Sequence, residues 1–236
     1  MYPIRRTFPL RRTACAFSGL LLVAVLLPAG AVATHEPGHN PGPAYPGPGQ
    51  TPSLSIAAKP ATTVFQGATV ISGRLQGQNK ANRTVVLAAD EYPFTGGFAF
   101  ATTRTDSNGS YSFTRRPARN TLFRAAVGTL RSAAVGVKVR IRMNLSVSDS
   151  TPRVGQRVRF RGRACPAHNG LLVRIQRRSS TGRYRTVRRT RLRAATRCST
   201  YRRTFRIYRD GRYRVTAADA DHARGYSRSR LIDAHR

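Results

Sequence analysis

Apolar and polar residues alternate with a period of two along most of the chain's second half. Val158 and Phe160 are interleaved with Arg157, Arg159 and Arg161; Val173 and Ile175 flank Arg174; Phe205 and Ile207 flank Arg206. Tyr213, Val215 and Ala217 alternate with Arg212, Arg214 and Thr216. Successive strand residues point to opposite sheet faces, so each run predicts a half-buried strand, apolar on one face and arginine-bearing on the other. Beyond the N-terminal segment no helical period is sustained.

The strand patterns recur as an internal repeat, the feature that most constrains architecture. One segment opens LSIAAKPATTVFQGATVISGRL and another LSVSDSTPRVGQRVRFRGRA. Gly67 aligns with Gly155 and the pair Gly73-Arg74 with Gly162-Arg163. The run from Asn82 to Leu87 aligns with that from Gly170 to Ile175. Each segment then reaches a turn before an aromatic strand, Asp106 to Phe113 in the first and Asp210 to Val215 in the second; Asn-Gly and Asp-Gly suit tight hairpins. At about 90 residues per segment and roughly seven short strands each, the expected fold class is all-β, two tandem antiparallel β-sandwich modules. The expected division is 1–33, a signal peptide; 34–53, a Pro/Gly-rich linker; 54–142, the first module; 143–236, the second.

Valine, glycine and the Ile-Ser-Gly-Arg run around residues 64–74, closed by Thr105-Asp106, Asn108-Gly109, Tyr111 and Phe113, resemble the Ig-like and carboxypeptidase regulatory-like (transthyretin-like) repeats of secreted bacterial proteins. The resemblance covers most of residues 54–232. It implies spacer, stalk or adhesion roles in an envelope protein. The second segment departs from it in its arginine content and its cysteine pair.

Before the modules, Arg5, Arg6, Arg11 and Arg12 precede an apolar run from Ala14 to Leu27, and Ala31 and Ala33 supply a small-x-small cleavage pattern. This predicts a signal peptide cut after Ala33, and a secreted or envelope-associated protein. The run is short for a span needing about 20 residues, so membrane attachment would come only through an uncleaved signal anchor. The following Pro, Gly, His and Asn residues have little to bury and predict an extended tether. Past the signal peptide Cys165 and Cys198 remain, and an even pair in an exported chain predicts a disulfide. A competing reading joins the two cysteines with His168 as zinc ligands.

The net charge of +33 is concentrated in the second module, which carries 25 arginines, no lysine and five aspartates. Arginine grips phosphate and carboxylate in a bidentate manner. The charge therefore points to an anionic cell-envelope polymer or surface as partner, with Arg157, Arg159, Arg161, Arg174, Arg206, Arg212 and Arg214 as contacts. Simple solvation of exposed sheet faces accounts for the same arginines equally well. Nucleic acid is the alternative partner, with Tyr184, Tyr201 and Tyr208 as stacking residues, though no helix-turn-helix, zinc-finger or RNP pattern accompanies them. Adjacent Asp90 and Glu91 would face opposite ways on a strand, no nucleophile elbow or phosphate loop is present, and Asp106-Ser107-Asn108-Gly109 reads as a capped turn. No enzymatic activity and no cofactor are expected. Asp219, Asp221 and His222 form a cluster compatible with a divalent ion, but Asp-rich loops between strands are common without metal. The expected function is a non-enzymatic exported structural or interaction protein.

Overall fold

A computed structural model describes residues 51–96 and 98–236. The signal peptide and almost all of the linker, with His35 and His39, lie outside the described residues. Among those described there is no helix; the chain is all-β.

The first half contributes β1 (Ser53–Leu54), β2 (Ala57–Lys59), β3 (Thr62–Val64), β4 (Thr69–Gln76), β5 (Thr84–Glu91), β6 (Phe98–Arg104), β7 (Ser110–Arg115), β8 (Thr121–Val127), β9 (Leu130–Arg131) and β10 (Val135–Arg140). The second contributes β11 (Arg142–Met143), β12 (Ser146–Val147), β13 (Arg157–Cys165), β14 (Leu172–Arg178), β15 (Tyr184–Arg191), β16 (Ser199–Arg206), β17 (Gly211–Ala217), β18 (Gly225–Tyr226) and β19 (Arg230–Ile232). In one sandwich β1, β2 and β7 pair with β4, facing a sheet ordered β3-β10-β8-β5-β6 with β9 on β8. In the other, β11, β12 and β16 pair with β13, facing β15-β14-β17 with β18 and β19 on β17. These are two Ig-like β-sandwiches in tandem.

Each has its own core, built from the inward residues of the alternating strands. Ile71, Val85, Leu87, Phe123, Ala125 and Val137 are buried in the first. Val158, Phe160, Val173, Ile175, Tyr213 and Val215 are buried in the second, where the Phe160 ring stacks on Phe205 at 4.7 Å. Ile141, just before β11, also packs into the second core.

Equivalent hydrogen bonds establish the true register of the repeat. The Tyr111 hydroxyl donates to the Ser55 carbonyl and the Tyr201 hydroxyl to the Asn144 carbonyl, both at 2.6 Å. Each tyrosine lies opposite a glycine, Gly73 or Gly162, whose missing Cβ leaves the room its ring needs. Likewise the Ala125 and Val215 amides donate to the hydroxyls of Ser132 and Ser227, which donate to the next carbonyl. Tyr111 therefore corresponds to Tyr201 and Phe123 to Tyr213. The alignment of Asp106–Phe113 with Asp210–Val215 slips by one strand, because two consecutive strands carry the same aromatic alternation. Gly73 and Gly162 correspond as aligned, whereas the match of Gly67 with Gly155 slips by one residue. Val64 and Arg153 accept equivalent turn bonds from Gly67 and Gln156, so Gly155 matches Gln66, and both have positive φ, 86° and 67°.

One connection differs sharply between the repeats. In the first sandwich β8 passes to β9 through Gly128 and Thr129 alone; in the second, β17 passes to β18 through residues 218–224. The longer loop reaches the first sandwich. The Ala223 amide donates to the Val139 carbonyl (2.8 Å), the Ile141 amide to the Ala223 carbonyl (3.2 Å) and the Asn120 amide to the Asp221 carbonyl (2.9 Å). Asn120 also bridges with its side chain, Nδ2 donating to the Ala220 carbonyl (3.4 Å) and Oδ1 accepting from the Val139 amide (2.9 Å).

Candidate functional site

Two groupings of polar side chains stand apart from the ordinary sheet surface: an arginine face on the second sandwich, and a histidine–aspartate cluster where its long loop meets the first.

The arginine face follows from strand register. Arg157, Arg159, Arg161 and Arg163 project outward from β13, because Val158, Phe160 and Ala164 point inward. Arg206 and Arg202 stand directly opposite Arg157 and Arg161 on β16 and share that face. Among the described residues no carboxylate lies within 4.0 Å of an arginine of this sandwich; the arginine–carboxylate pair present is Arg119–Glu91, at 3.9 Å in the first. A shallow groove of about 620 Å³ opens on the same side, lined by Arg161, Arg163, Arg193, Arg202 and Arg230. Of these five the sequence pattern singled out Arg161; the others need the β13–β16 register and the fold of the neighbouring loops.

The remaining sequence candidates lie on the opposite sheet. Arg174 and Arg214 are half-buried on β14 and β17, and Arg212 is exposed beside them. Arg214 is held in place, its guanidinium 3.7 Å from the Tyr184 ring centre and 4.4 Å from that of Tyr226, with Nε donating to Gln176 Oε1 at 3.0 Å. The seven arginines thus divide between two faces instead of forming one surface. Tyr201 is only 2% exposed and cannot stack on a base, and Tyr184 is covered by Arg214. Tyr208, at 63%, is open to solvent.

Cys165 and Cys198 are joined, S–S 2.08 Å, which removes both thiols from metal binding. The same region of chain carries His168 elsewhere. His168 lies between β13 and β14, and its Nδ1 sits 2.6 Å from Asp219 Oδ2 on the 218–224 loop. His222, 3% exposed, places Nε2 at 2.9 Å from the Ala118 carbonyl and Nδ1 at 2.9 Å from Asp221 Oδ1 and 3.9 Å from Asp219 Oδ1. The two imidazoles meet edge to face, 4.8 Å between ring centres. One ligand atom from each of His168, Asp219, Asp221 and His222 can be chosen so that all lie within 4.8 Å of one another. The sequence presents these as two unrelated hints, His168 beside the cysteines and the Asp219–His222 trio some fifty residues on. No local spacing motif joins them; the sandwich does.

Charge in the cluster is unevenly held. Burial, and then the neighbouring His222, push the His168 pKa below its usual value. Burial, then the hydrogen bond and charge of Asp221, push Asp219 up to about 6. Burial pushes Asp221 up as well, but the neighbouring Asp219 carboxyl and the His222 and His168 imidazoles outweigh that and leave it lowered. Elsewhere, Asp106 Oδ1 accepts from the Asn108 and Ser110 amides at 2.8 Å each, a turn cap.

No family model and no curated protein matches the chain. Among solved structures the chain is similar to the D0-D1 domain of Intimin, at 10% identity and a TM-score of 0.28, covering 77% of this chain and 98% of that one.

Proposed function

We propose that the chain is a non-enzymatic, exported structural or interaction protein whose second sandwich docks on an anionic polymer of the cell envelope. The observation that carries this reading is the outer β13–β16 face. It bears Arg157, Arg159, Arg161, Arg163, Arg202 and Arg206 within one sheet surface and has no carboxylate within 4.0 Å among the described residues. Guanidinium groups without internal counter-charges are available for bidentate contact with phosphate or carboxylate, and their common face sums their fields over a Debye length of about 8 Å. Export is supported by the charged and apolar N-terminal pattern and by the disulfide, which persists in oxidising compartments. N-terminal sequencing of the secreted form is expected to begin at Thr34.

The test compares faces at constant net charge. Arg157→Gln/Arg161→Gln/Arg202→Gln on the β13–β16 face should elute from heparin and polyphosphate columns at clearly lower salt than Arg174→Gln/Arg178→Gln/Arg212→Gln, which removes as many charges from β14 and β17. Equal elution would reduce the arginines to diffuse solvation. Single-stranded DNA of matched charge forms a second arm. With Tyr201 buried and Tyr184 covered, DNA should be held no more tightly than heparin, and Tyr208→Ala should change nothing. Tighter binding of DNA would favour the nucleic-acid reading.

A further inference from the structure

We propose that His168, Asp219, Asp221 and His222 form a site for one divalent ion of the zinc class, which fastens the 218–224 loop to the β13–β14 connection beside the junction of the two sandwiches. The cluster itself is one observation. The state of its imidazoles is a second. A carbonyl oxygen only accepts, so the 2.9 Å contact with Ala118 puts the His222 proton on Nε2. In the neutral ring Nδ1 is then a bare lone pair, 2.9 Å from Asp221 Oδ1 and 3.9 Å from Asp219 Oδ1, acceptors themselves.

The side chain is 2% exposed, and Nδ1 has no hydrogen-bond partner despite its 2.9 Å approach to Asp221. Nε2 of His168 is also buried without a partner, on a side chain 9% exposed. Buried polar atoms in native proteins are nearly always satisfied. A proton on His222 Nδ1 would need an alignment with Asp221 that the geometry does not provide. A cation placed between His222 Nδ1 and the carboxylate oxygens beside it satisfies that lone pair.

The donor set also selects the ion. Two imidazoles and two carboxylates suit zinc better than calcium or magnesium, which prefer all-oxygen shells. With four ligands at about 2.1 Å in a tetrahedron, donors stand about 3.4 Å apart, so the most distant pair of the cluster, within 4.8 Å at present, closes by up to about 1.4 Å when the ion binds. The Ala118 carbonyl on His222 Nε2 is the outer partner that metal-binding histidines characteristically have, fixing the tautomer and aiming Nδ1. That carbonyl belongs to the first sandwich, so the ion would couple both. The inference is independent of the polyanion reading.

The experiment uses the full secreted chain without an affinity tag, stripped with chelator and titrated with zinc chloride by calorimetry. One zinc per chain is expected to bind saturably and to raise the melting temperature, the rise reversing on renewed chelation. Cobalt in its place should show absorption bands of a low-coordinate nitrogen–oxygen site. His168→Ala and the isosteric Asp221→Asn should each weaken binding by about 10- to 100-fold or more, since loss of an outer partner alone costs that much. His35→Ala/His39→Ala, altering histidines outside the described residues, should leave the stoichiometry at one. Absence of a saturable equivalent in the unaltered chain overturns the proposal whatever the variants do. So does loss of binding in the His35/His39 variant, or undiminished binding in both cluster variants.

Discussion

Tyr111 and Tyr201 are the residues whose roles change most between pattern and structure. Each buries its ring beneath a strand glycine and spends its hydroxyl on a carbonyl of the strand segment opposite. Burial pushes the Tyr111 pKa from 10.0 to about 12, and pushes Tyr201 up as well. The folded state therefore holds protons that the unfolded chain releases first. The stabilisation is complete below about pH 10 and is lost as pH rises towards and through the raised values. Melting temperature followed from pH 9 to 12 should fall in step with tyrosinate absorbance, and Tyr111→Phe should flatten the fall. At neutral pH Tyr201→Phe removes the part-buried hydrogen bond to the Asn144 carbonyl and should cost about 0.5–1.5 kcal/mol in denaturant unfolding. Gln66 offers the opposite sign. Its φ of 67° is the conformation that Gly155 adopts in the second repeat, so Gln66→Gly should stabilise by about 0.5–1 kcal/mol, the left-handed strain relieved less the added chain entropy.

At the scale of elements, the strands were legible and their correspondence was not. Alternation located β13, β14, β16 and β17 because one sandwich face must be apolar, and that requirement is written residue by residue. Pairing is set by which strand lies across the sheet, and β7, β8, β16 and β17 all present an aromatic among alternating residues, so the second half of the repeat slid by a strand. The arginine set suffered for the same reason. Periodicity says that Arg157 and Arg174 point away from a core, but not that they point away from opposite sides of it. The cysteine pair was legible because so few partners existed. Reduction of Cys165–Cys198, which spans 33 residues, should destabilise the second sandwich by about 3–4 kcal/mol, read as a lowered midpoint in urea unfolding.

For the whole molecule, the decisive element is the loop that the first repeat lacks. Residues 218–224 supply the backbone bonds to Val139, Ile141 and Asn120, so the tandem sandwiches are held by a hydrogen-bonded seam as well as by the chain between them. Nothing in the sequence of the loop announces this; Asp219, Asp221 and His222 look like a solvated turn until Asn120 and Ala118 are placed beside them. Asn120 is the seam's most economical target, since its side chain serves both sides. Asn120→Ala removes the bond to Ala220 and leaves the amide of Val139, a fully buried residue, without its acceptor, at a cost of about 1–3 kcal/mol. Because the loss falls on the contact between the units and on neither core, it should act on cooperativity. The unaltered chain is expected to melt in one calorimetric transition whose calorimetric and van't Hoff enthalpies agree. In Asn120→Ala that transition should broaden or separate into two, with the disulfide-bonded second sandwich melting later. Two resolved transitions in the unaltered chain would mean that the seam carries too little energy to couple the sandwiches.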